Sequence, residues 1–172
     1  MRIIALLPDD RSKPGSLSLL DDQGLTLAGP FQCDGQSDLS AAVEAGNPSR
    51  DPTKAFGNTP LGEYTASISY VPDTPQDRRS YGMPDGTGGI PTIDLFPVEG
   101  PTQAWQAKLN GRTGLKIHSG DPNAWGGLRV THGCIRLFEV DMGKLLNALL
   151  TSLRGFPVSV RSMPSVALPL AA

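Results

Sequence analysis

The sequence of 172 residues has few of the cysteines and histidines that build disulfide frameworks and metal clusters, and its N-terminus has only a short apolar run. It contains only two cysteines and two histidines. The formal net charge of −2 and the isoelectric point near 5.6 provide no basic surface for nucleic acid or for an anionic membrane. The apolar run Ile3–Leu7 is far shorter than the roughly 20 residues that a membrane span needs. We therefore expect neither a nucleic-acid partner nor membrane insertion.

Length and composition predict one compact domain over residues 1–172. A hydrophobic content of 38% is enough to bury one core in a chain of this length, and the length argues against two. Twenty glycines and 16 prolines without a repeat period indicate many turns between short strands rather than a helical bundle.

Alternating and apolar segments predict a mainly β fold. Ser16–Leu20 and Leu25–Ala28 flank Asp and Gly residues that suit a tight connection, and so predict a hairpin. The other segments with strand character are Tyr64–Tyr70, Ile90–Phe96, Trp105–Leu109, Leu115–His118 and Val158–Arg161.

One helix is predicted after these strands. Its apolar positions recur at helical spacing on one face: Met142, Leu145, Leu146, Leu149, Leu150 and Leu153. Asp141 is the expected N-cap, and Gly155 and Pro157 are expected to end the helix. The segment Pro72–Gly89 shows little periodicity, which predicts a long loop, either a binding loop or a disordered segment.

Both histidines and one cysteine lie within seventeen residues, from His118 to Cys134. A cysteine attacks carbonyl groups as a thiolate, and a nearby imidazole supplies the base and the positive charge that lower the thiol pKa. His132 and Cys134 are two residues apart, so in an extended segment they share one face. Gly133 permits a tight path that leaves its own N–H and that of Cys134 free for an oxyanion. The alternative is a buried structural cysteine beside a core histidine.

The stretches Ile117-His118-Ser119 and Thr131-His132-Gly133-Cys134-Ile135-Arg136 together resemble the signature of the L,D-transpeptidase catalytic domain, also called the YkuD domain. Gly57–Tyr64 is similar to the family's Thr-Pro-x-Gly turn, and Gly111–Gly114 is similar to its approach to the first histidine. The similarity spans about residues 16–161, and the twelve residues between His118 and Thr131 predict a trimmed loop. The resemblance implies a mainly β, L,D-transpeptidase-like β-sandwich, with one packed amphipathic helix after the motif and the site at a sheet edge.

The resemblance also implies acyl transfer through a thioester on the tetrapeptide stems of bacterial peptidoglycan. Cys134 is then the nucleophile and His118 the base, while the main-chain carbonyl of Ser119 holds the imidazole tautomer. Gly133 supplies backbone geometry, and His132 either donates to the oxyanion or braces the loop. We further expect a His118 imidazolium to approach Cys134 and to lower the pKa of its thiol.

Three residues are candidates for contacting the substrate. Arg136 either pairs with a substrate carboxylate or forms a structural ion pair. Tyr81, in the predicted loop, is a candidate wall residue of the site. Trp125, between the two histidines, either lies near the site because of its place in the sequence or is an ordinary packing aromatic.

No cofactor and no metal are expected. A disulfide between Cys33 and Cys134 would consume the nucleophile, so both thiols are predicted to be free. A metal-binding module using His118, His132 and Cys134 is an alternative, but only Cys33 or a carboxylate is left as the fourth ligand of a structural zinc. A catalytically inactive wall-binding protein is a further alternative.

Several aspects of the implied reaction stay open at the level of sequence. The acyl acceptor is a stem amine, a lipoprotein lysine, a free D-amino acid or water, and with water the enzyme is an L,D-carboxypeptidase. The implied site of action is the periplasm or cell wall. The N-terminal run does not resemble a secretory signal, so we expect a removed signal or another export route. A housekeeping enzyme and a toxin delivered to competitors, and any oligomeric state, are compatible with the sequence.

Overall fold

The structure is a computed structural model that describes residues 1–86, 88–149 and 155–163. Its main element is a closed barrel of eight strands in the order β1-β2-β3-β7-β6-β5-β4-β8. The strands are β1 (Arg2–Leu7), β2 (Gly15–Leu20), β3 (Thr26–Asp34), β4 (Gly62–Val71), β5 (Ile90–Pro97), β6 (Lys116–His118), β7 (Ile135–Leu137) and β8 (Phe156–Ser162).

The barrel confirms a mainly β fold but corrects the expected sandwich. β8 pairs with β1 in parallel on one side and with β4 in antiparallel on the other, so the sheet closes on itself. Closure removes the free sheet edge that a sandwich would keep. The site expected at an edge lies instead where β6 and β7 run side by side, with Ile117 opposite Ile135 and His118 opposite Arg136.

The predicted strands are confirmed apart from one. The hairpin joins β2 to β3 with Leu20 opposite Thr26, and the Asp21 carboxylate accepts the main-chain N–H groups of Gln23 and Leu25 in the turn. Inward-facing side chains along the strands fill the barrel, and Ile3, Leu17 and other apolar residues there are fully buried. Period-2 alternation identified β4, whose Tyr64 and Ala66 side chains pack into this core, whereas β1 and β7 were not predicted.

Trp105–Leu109, predicted as a strand, is helical and belongs to α3 (Gln103–Leu109). Thr102 caps this helix by accepting the main-chain N–H of Trp105, and Ala104 and Ala107 are the buried residues. The alternation of apolar residues misled the prediction because Leu109 is 63% exposed and does not belong to the buried face. The small alanines at i and i+3 spacing are what the helix buries.

The predicted loop Pro72–Gly89 contains α2 (Pro75–Tyr81). Thr74 accepts the main-chain N–H of Asp77, and Pro75 occupies the first turn, where its missing N–H costs nothing. This capping pattern was the available signal, and it was missed because the helix is short and buries none of its residues. A further unpredicted helix is α1 (Leu39–Glu44), which Asp38 caps.

The predicted helix after the cysteine is confirmed as α4 (Glu139–Leu149), although it begins two residues before the expected N-cap. Asp141 therefore lies in the first turn, where its negative charge interacts favourably with the helix dipole and stabilises the helix. Met142, Leu145 and Leu149 are buried against the barrel. Leu150 and Leu153 lie outside the described residues, whereas Gly155 is non-helical and Pro157 lies in β8, as the predicted end of the helix requires. Among the described helices none is long and apolar enough to cross a membrane.

Candidate active site

A cavity of about 610 Å³ opens where β6 and β7 meet the loops that precede them. His118 is the last residue of β6, Cys134 immediately precedes β7, and both residues line this cavity. The side chains and main chain that line the cavity come from Asp38, Ala55, Phe56, Gln76, Arg79, Ser80, Tyr81, Gly111, Arg112, Thr113, Gly114, Leu115, His118, Arg129, Val130, Thr131, His132, Cys134 and Arg136.

The imidazole of His118 is buried and held in one orientation. Only 3% of the residue is exposed, and its Nδ1 lies 2.6 Å from the Ser119 carbonyl oxygen. Because a carbonyl oxygen only accepts, Nδ1 carries the proton and donates to it, which leaves Nε2 with a free lone pair. The Tyr81 ring packs edge-on against the imidazole at 5.1 Å between centroids, and the Ser119 hydroxyl donates to the Tyr81 carbonyl at 3.0 Å.

Burial makes the neutral forms of both reactive groups the stable ones. It lowers the pKa of His118 to about 3, and the positive charge of Arg136 acts in the same direction. Burial also raises the pKa of the Cys134 thiol, against the opposing effects of the Lys116 main-chain N–H and the Arg112 charge. The thiol donates to the Gly114 carbonyl at 3.7 Å. The predicted imidazolium with a lowered thiol pKa is therefore wrong, because desolvation outweighs the positive charges.

Residues 131–134, the Cys134 loop, are held by two threonine hydroxyls. Thr131 Oγ1 accepts the Gly133 N–H at 2.9 Å and donates to the Cys134 carbonyl at 3.0 Å. Thr59 Oγ1, from the Thr-Pro-x-Gly segment, lies 3.0 Å from the Gly133 carbonyl and 3.3 Å from that of Cys134. The Gly133 N–H is therefore occupied, which corrects the expectation that it is free for an oxyanion.

Arg112 supports the same loop from inside, and its role was missed in the sequence. Its guanidinium donates to the main-chain carbonyls of Pro52, Gly57, Asn58 and His132, with the Gly57 contact at 2.7 Å. Only 7% of Arg112 is exposed. A Cβ on Gly133 would lie 1.9 Å from Arg112 Nη2, and Gly133 has a φ of +99°. The tight packing of a guanidinium against this residue explains why the loop needs glycine there.

Arg136 is buried and does not form the structural ion pair that was one of its two expected contacts. Its guanidinium donates to the Ser80 carbonyl at 2.6 Å and to the Asp121 carbonyl at 3.2 Å. It therefore joins β7 to the end of α2 and to the loop after His118, at the wall of the cavity. The expected structural ion pair is replaced by hydrogen bonds to main-chain carbonyls.

The remaining predicted residues differ in position. His132 lines the cavity, is exposed and packs edge-on against the Phe56 ring at 4.9 Å. Tyr81 lines the cavity, as its proposed place in the wall requires.

Trp125 is 94% exposed and does not line the cavity. Proximity in sequence misled here, because the turn around Asn123 directs residues 124–126 into solvent.

Both cysteines are free, as predicted, with Cys33 buried in the core and Cys134 half-buried at the cavity. Desolvation raises the pKa of Cys33 to about 12, so its thiol is neutral and unreactive as a nucleophile at neutral pH. Across residues 1–86, 88–149 and 155–163, no three His, Cys, Asp or Glu side chains are grouped so that they could hold a metal ion. The metal-binding alternative lacks its ligand set in this part of the chain.

The fold and the site define a mainly β domain with a cysteine and a histidine at one cavity. The sequence profile of the YkuD family, the L,D-transpeptidase catalytic domain, matches residues 20–160. The chain belongs to this family. No curated protein sequence is significantly similar to it.

Solved structures that are similar to the chain include the following two. Bd1075 of Bdellovibrio bacteriovorus is 15% identical with a TM-score of 0.50, over 92% of this chain and 47% of that one. An L,D-transpeptidase from Mycobacterium smegmatis is 16% identical with a TM-score of 0.38, over 93% of this chain and 58% of that one. The chain thus spans about half the length of the solved proteins it matches. The likeness to Bd1075 shows a shared fold.

Proposed function

We propose that this protein is a cysteine-dependent L,D-transpeptidase that acts on the tetrapeptide stems of peptidoglycan in the periplasm or cell wall. Cys134 Sγ attacks the carbonyl carbon of the third stem residue, and the thiol proton passes to His118 Nε2. The C–N bond to the terminal D-alanine then breaks, and the leaving amine takes that proton from His118. An amine of a second stem attacks the thioester, forms the cross-link and releases the thiol.

The observation that carries this proposal is the hydrogen bond between His118 Nδ1 and the Ser119 carbonyl at the cavity that also contains Cys134. It fixes the tautomer in which Nε2 is free to accept a proton, as a general base requires. His118 and Cys134 both line this cavity, on or beside the paired strands β6 and β7. A histidine with this tautomer at the same cavity as a thiol fits the nucleophile and base of acyl transfer.

The electrostatics of the site support transfer of the thiol proton during attack rather than before it. Burial raises the pKa of Cys134 and lowers that of His118, so both groups are neutral in the resting protein. A neutral imidazole is a competent acceptor once the sulfur begins to bond to carbon and its acidity rises. The positive charges of Arg112 and Lys116 then favour the developing negative charge on sulfur.

The test is formation of the acyl-enzyme followed by mass spectrometry. Wild-type protein incubated with purified tetrapeptide muropeptides should gain the mass of a stem that lacks its terminal D-alanine, whereas Cys134→Ala should not. Cys33→Ala is the matched control and should acylate like the wild type. Retained acylation in Cys134→Ala would contradict the assignment of Cys134 as the nucleophile. The same experiment identifies the acceptor, because a cross-linked product indicates a stem amine and a free tripeptide stem indicates water.

A further inference from the structure

Four arginines line the cavity, and two of them are already engaged by the protein. Arg112 and Arg136 are buried and donate to main-chain carbonyls on the inner wall. The cavity lining contains one carboxylate side chain, that of Asp38, and its Oδ1 accepts the main-chain N–H of Ala41 at the start of α1. Positive charge therefore exceeds negative charge by a wide margin in a chain whose overall charge is −2.

The other two arginines, Arg79 and Arg129, are exposed at the mouth of the cavity. In the part of the chain that the structure describes, neither guanidinium makes a hydrogen bond or an ion pair. Their neighbour Arg78 differs, because its guanidinium is paired with the Asp73 carboxylate and does not line the cavity. Two unpaired guanidinium groups beside one cavity are donors without an acceptor, and guanidinium groups bind carboxylates in a two-point geometry.

Both free arginines lie on the side of the cavity that contains His118 and Arg136. Arg136 contacts the carbonyl of Ser80, which directly follows Arg79 on α2. Arg129 and Arg136 both line the cavity, and the charge of Arg129 lowers the pKa of Arg136. Arg136 in turn lies opposite His118 in the strand pairing.

We propose that Arg79 and Arg129 bind the terminal carboxylate of the residue that the reaction expels, and so select stems that end one residue after the scissile bond. The inference rests on the proposed function. In that reaction His118 protonates the leaving amine, and the terminal carboxylate of an amino acid is only two bonds from its own nitrogen. A carboxylate held beside Arg136 is therefore on the side where His118 delivers the proton.

The selectivity has a physical cause. A stem with its terminal carboxylate beyond the scissile bond places one negative charge between two guanidinium groups. A stem that is amidated at this position offers no charge, and a stem extended by one residue moves its carboxylate by more than 3 Å along the chain. Hydrogen bonds to a charged group are about twice as strong as neutral ones, so either change should weaken binding.

Binding is measured with Cys134→Ala protein, which does not turn the peptide over, by calorimetry with a synthetic stem tetrapeptide and with its C-terminal amide. The cavity variants are Arg79→Gln, Arg129→Gln and the double variant, and Arg78→Gln is the matched control. We expect each single change to weaken binding of the free acid by about tenfold, which corresponds to one charge-assisted hydrogen bond. The amide should bind all variants equally, and Arg78→Gln should behave as the parent does. Replacement by lysine should restore part of the preference for the acid.

The outcomes separate this inference from the proposed function. If the parent protein binds acid and amide equally, or if the double variant keeps the full preference for the acid, the assignment of Arg79 and Arg129 is overturned. Binding to the Cys134→Ala protein could show the expected preference while the wild-type protein, which keeps Cys134, forms no acyl-enzyme. In that case the proposed function fails and carboxylate binding stands. If the wild type is acylated with equal kcat/KM by the tetrapeptide and by its amide, carboxylate selection by Arg79 and Arg129 is overturned and the proposed function stands.

Discussion

The inner wall of the cavity and its mouth use the same residue types in opposite ways. On the inner wall, Arg112 and His118 are buried, and their nitrogens are bonded to main-chain carbonyls. At the mouth, Arg79 and His132 are exposed to solvent. A side chain that is hydrogen-bonded to buried carbonyls is fixed and can hold other groups in place. An exposed side chain remains available to a ligand. The position of an arginine or histidine, more than its identity, thus decides its role here.

The largest effect is expected when each of the two histidines is replaced by alanine in turn. His118→Ala removes the proposed proton acceptor and should slow acylation by about 10²–10⁴-fold, the usual contribution of a general base. His132→Ala loses a ring contact with Phe56 at the mouth and should retain most of the rate. The measurement is the single-turnover acylation rate, with folding checked by circular dichroism. If His132→Ala is the slower of two folded variants, the base and the bracing residue have been exchanged.

The next largest effect should be on stability, at the tightest contact of the inner wall. Gly133→Ala adds a Cβ 2.1 Å from the Gly57 carbonyl at a φ of +99°, and should cost about 3 kcal/mol from strain and overpacking together. Gly46→Ala is the matched control, because it has a φ of +74° with no atom within 4 Å. It carries the strain alone and should cost about 1 kcal/mol. Denaturant unfolding measures both, and equal losses would mean that Arg112 does not pack tightly against the loop.

The third prediction concerns pH and the inner wall. A raised thiol pKa means less thiolate at a given pH, so the rate of Cys134 alkylation by iodoacetamide should keep rising above pH 8. A thiol with a pKa of 8.5 is only about 3% ionised at pH 7, so the rate at pH 7 should be at least about 30-fold below its plateau. His118→Ala should leave this profile in place, since a neutral imidazole adds no charge. If the alkylation rate of the wild type reaches its plateau below pH 7, a preformed ion pair of thiolate and imidazolium is supported instead.

The smallest effect is expected outside the cavity, at Trp125. Its side chain is 94% exposed and does not line the site, so Trp125→Ala should change the free energy of unfolding by less than about 0.5 kcal/mol. The acylation rate should stay within about twofold of wild type. A large loss of kcat/KM with unchanged stability would show that this tryptophan contacts the substrate, as its place between the two histidines first suggested.

Local pattern was informative wherever a residue's neighbours in sequence are also its neighbours in space. Six of the strands were predicted, and so was the helix that buries Met142 and Leu145, whereas β1 and β7 were missed. The pattern failed at α3 and α2, where the caps Thr102 and Thr74 rather than apolar periodicity define short helices. It failed again at Trp125, because a turn can direct a side chain away from the residues on either side of it.

By itself the sequence determined the spacing of His118, His132 and Cys134, the resemblance to the L,D-transpeptidase domain and the mainly β class, because these depend on residue identity and short-range periodicity. Only the tertiary structure decided that the sheet closes through β8, that Arg112 reaches the His132 carbonyl, and that Gly133 donates its N–H to Thr131. It also decided the direction of the pKa shifts of His118 and Cys134. Burial sets those pKa values, and burial arises from strand pairings and side-chain contacts between segments that lie far apart along the chain.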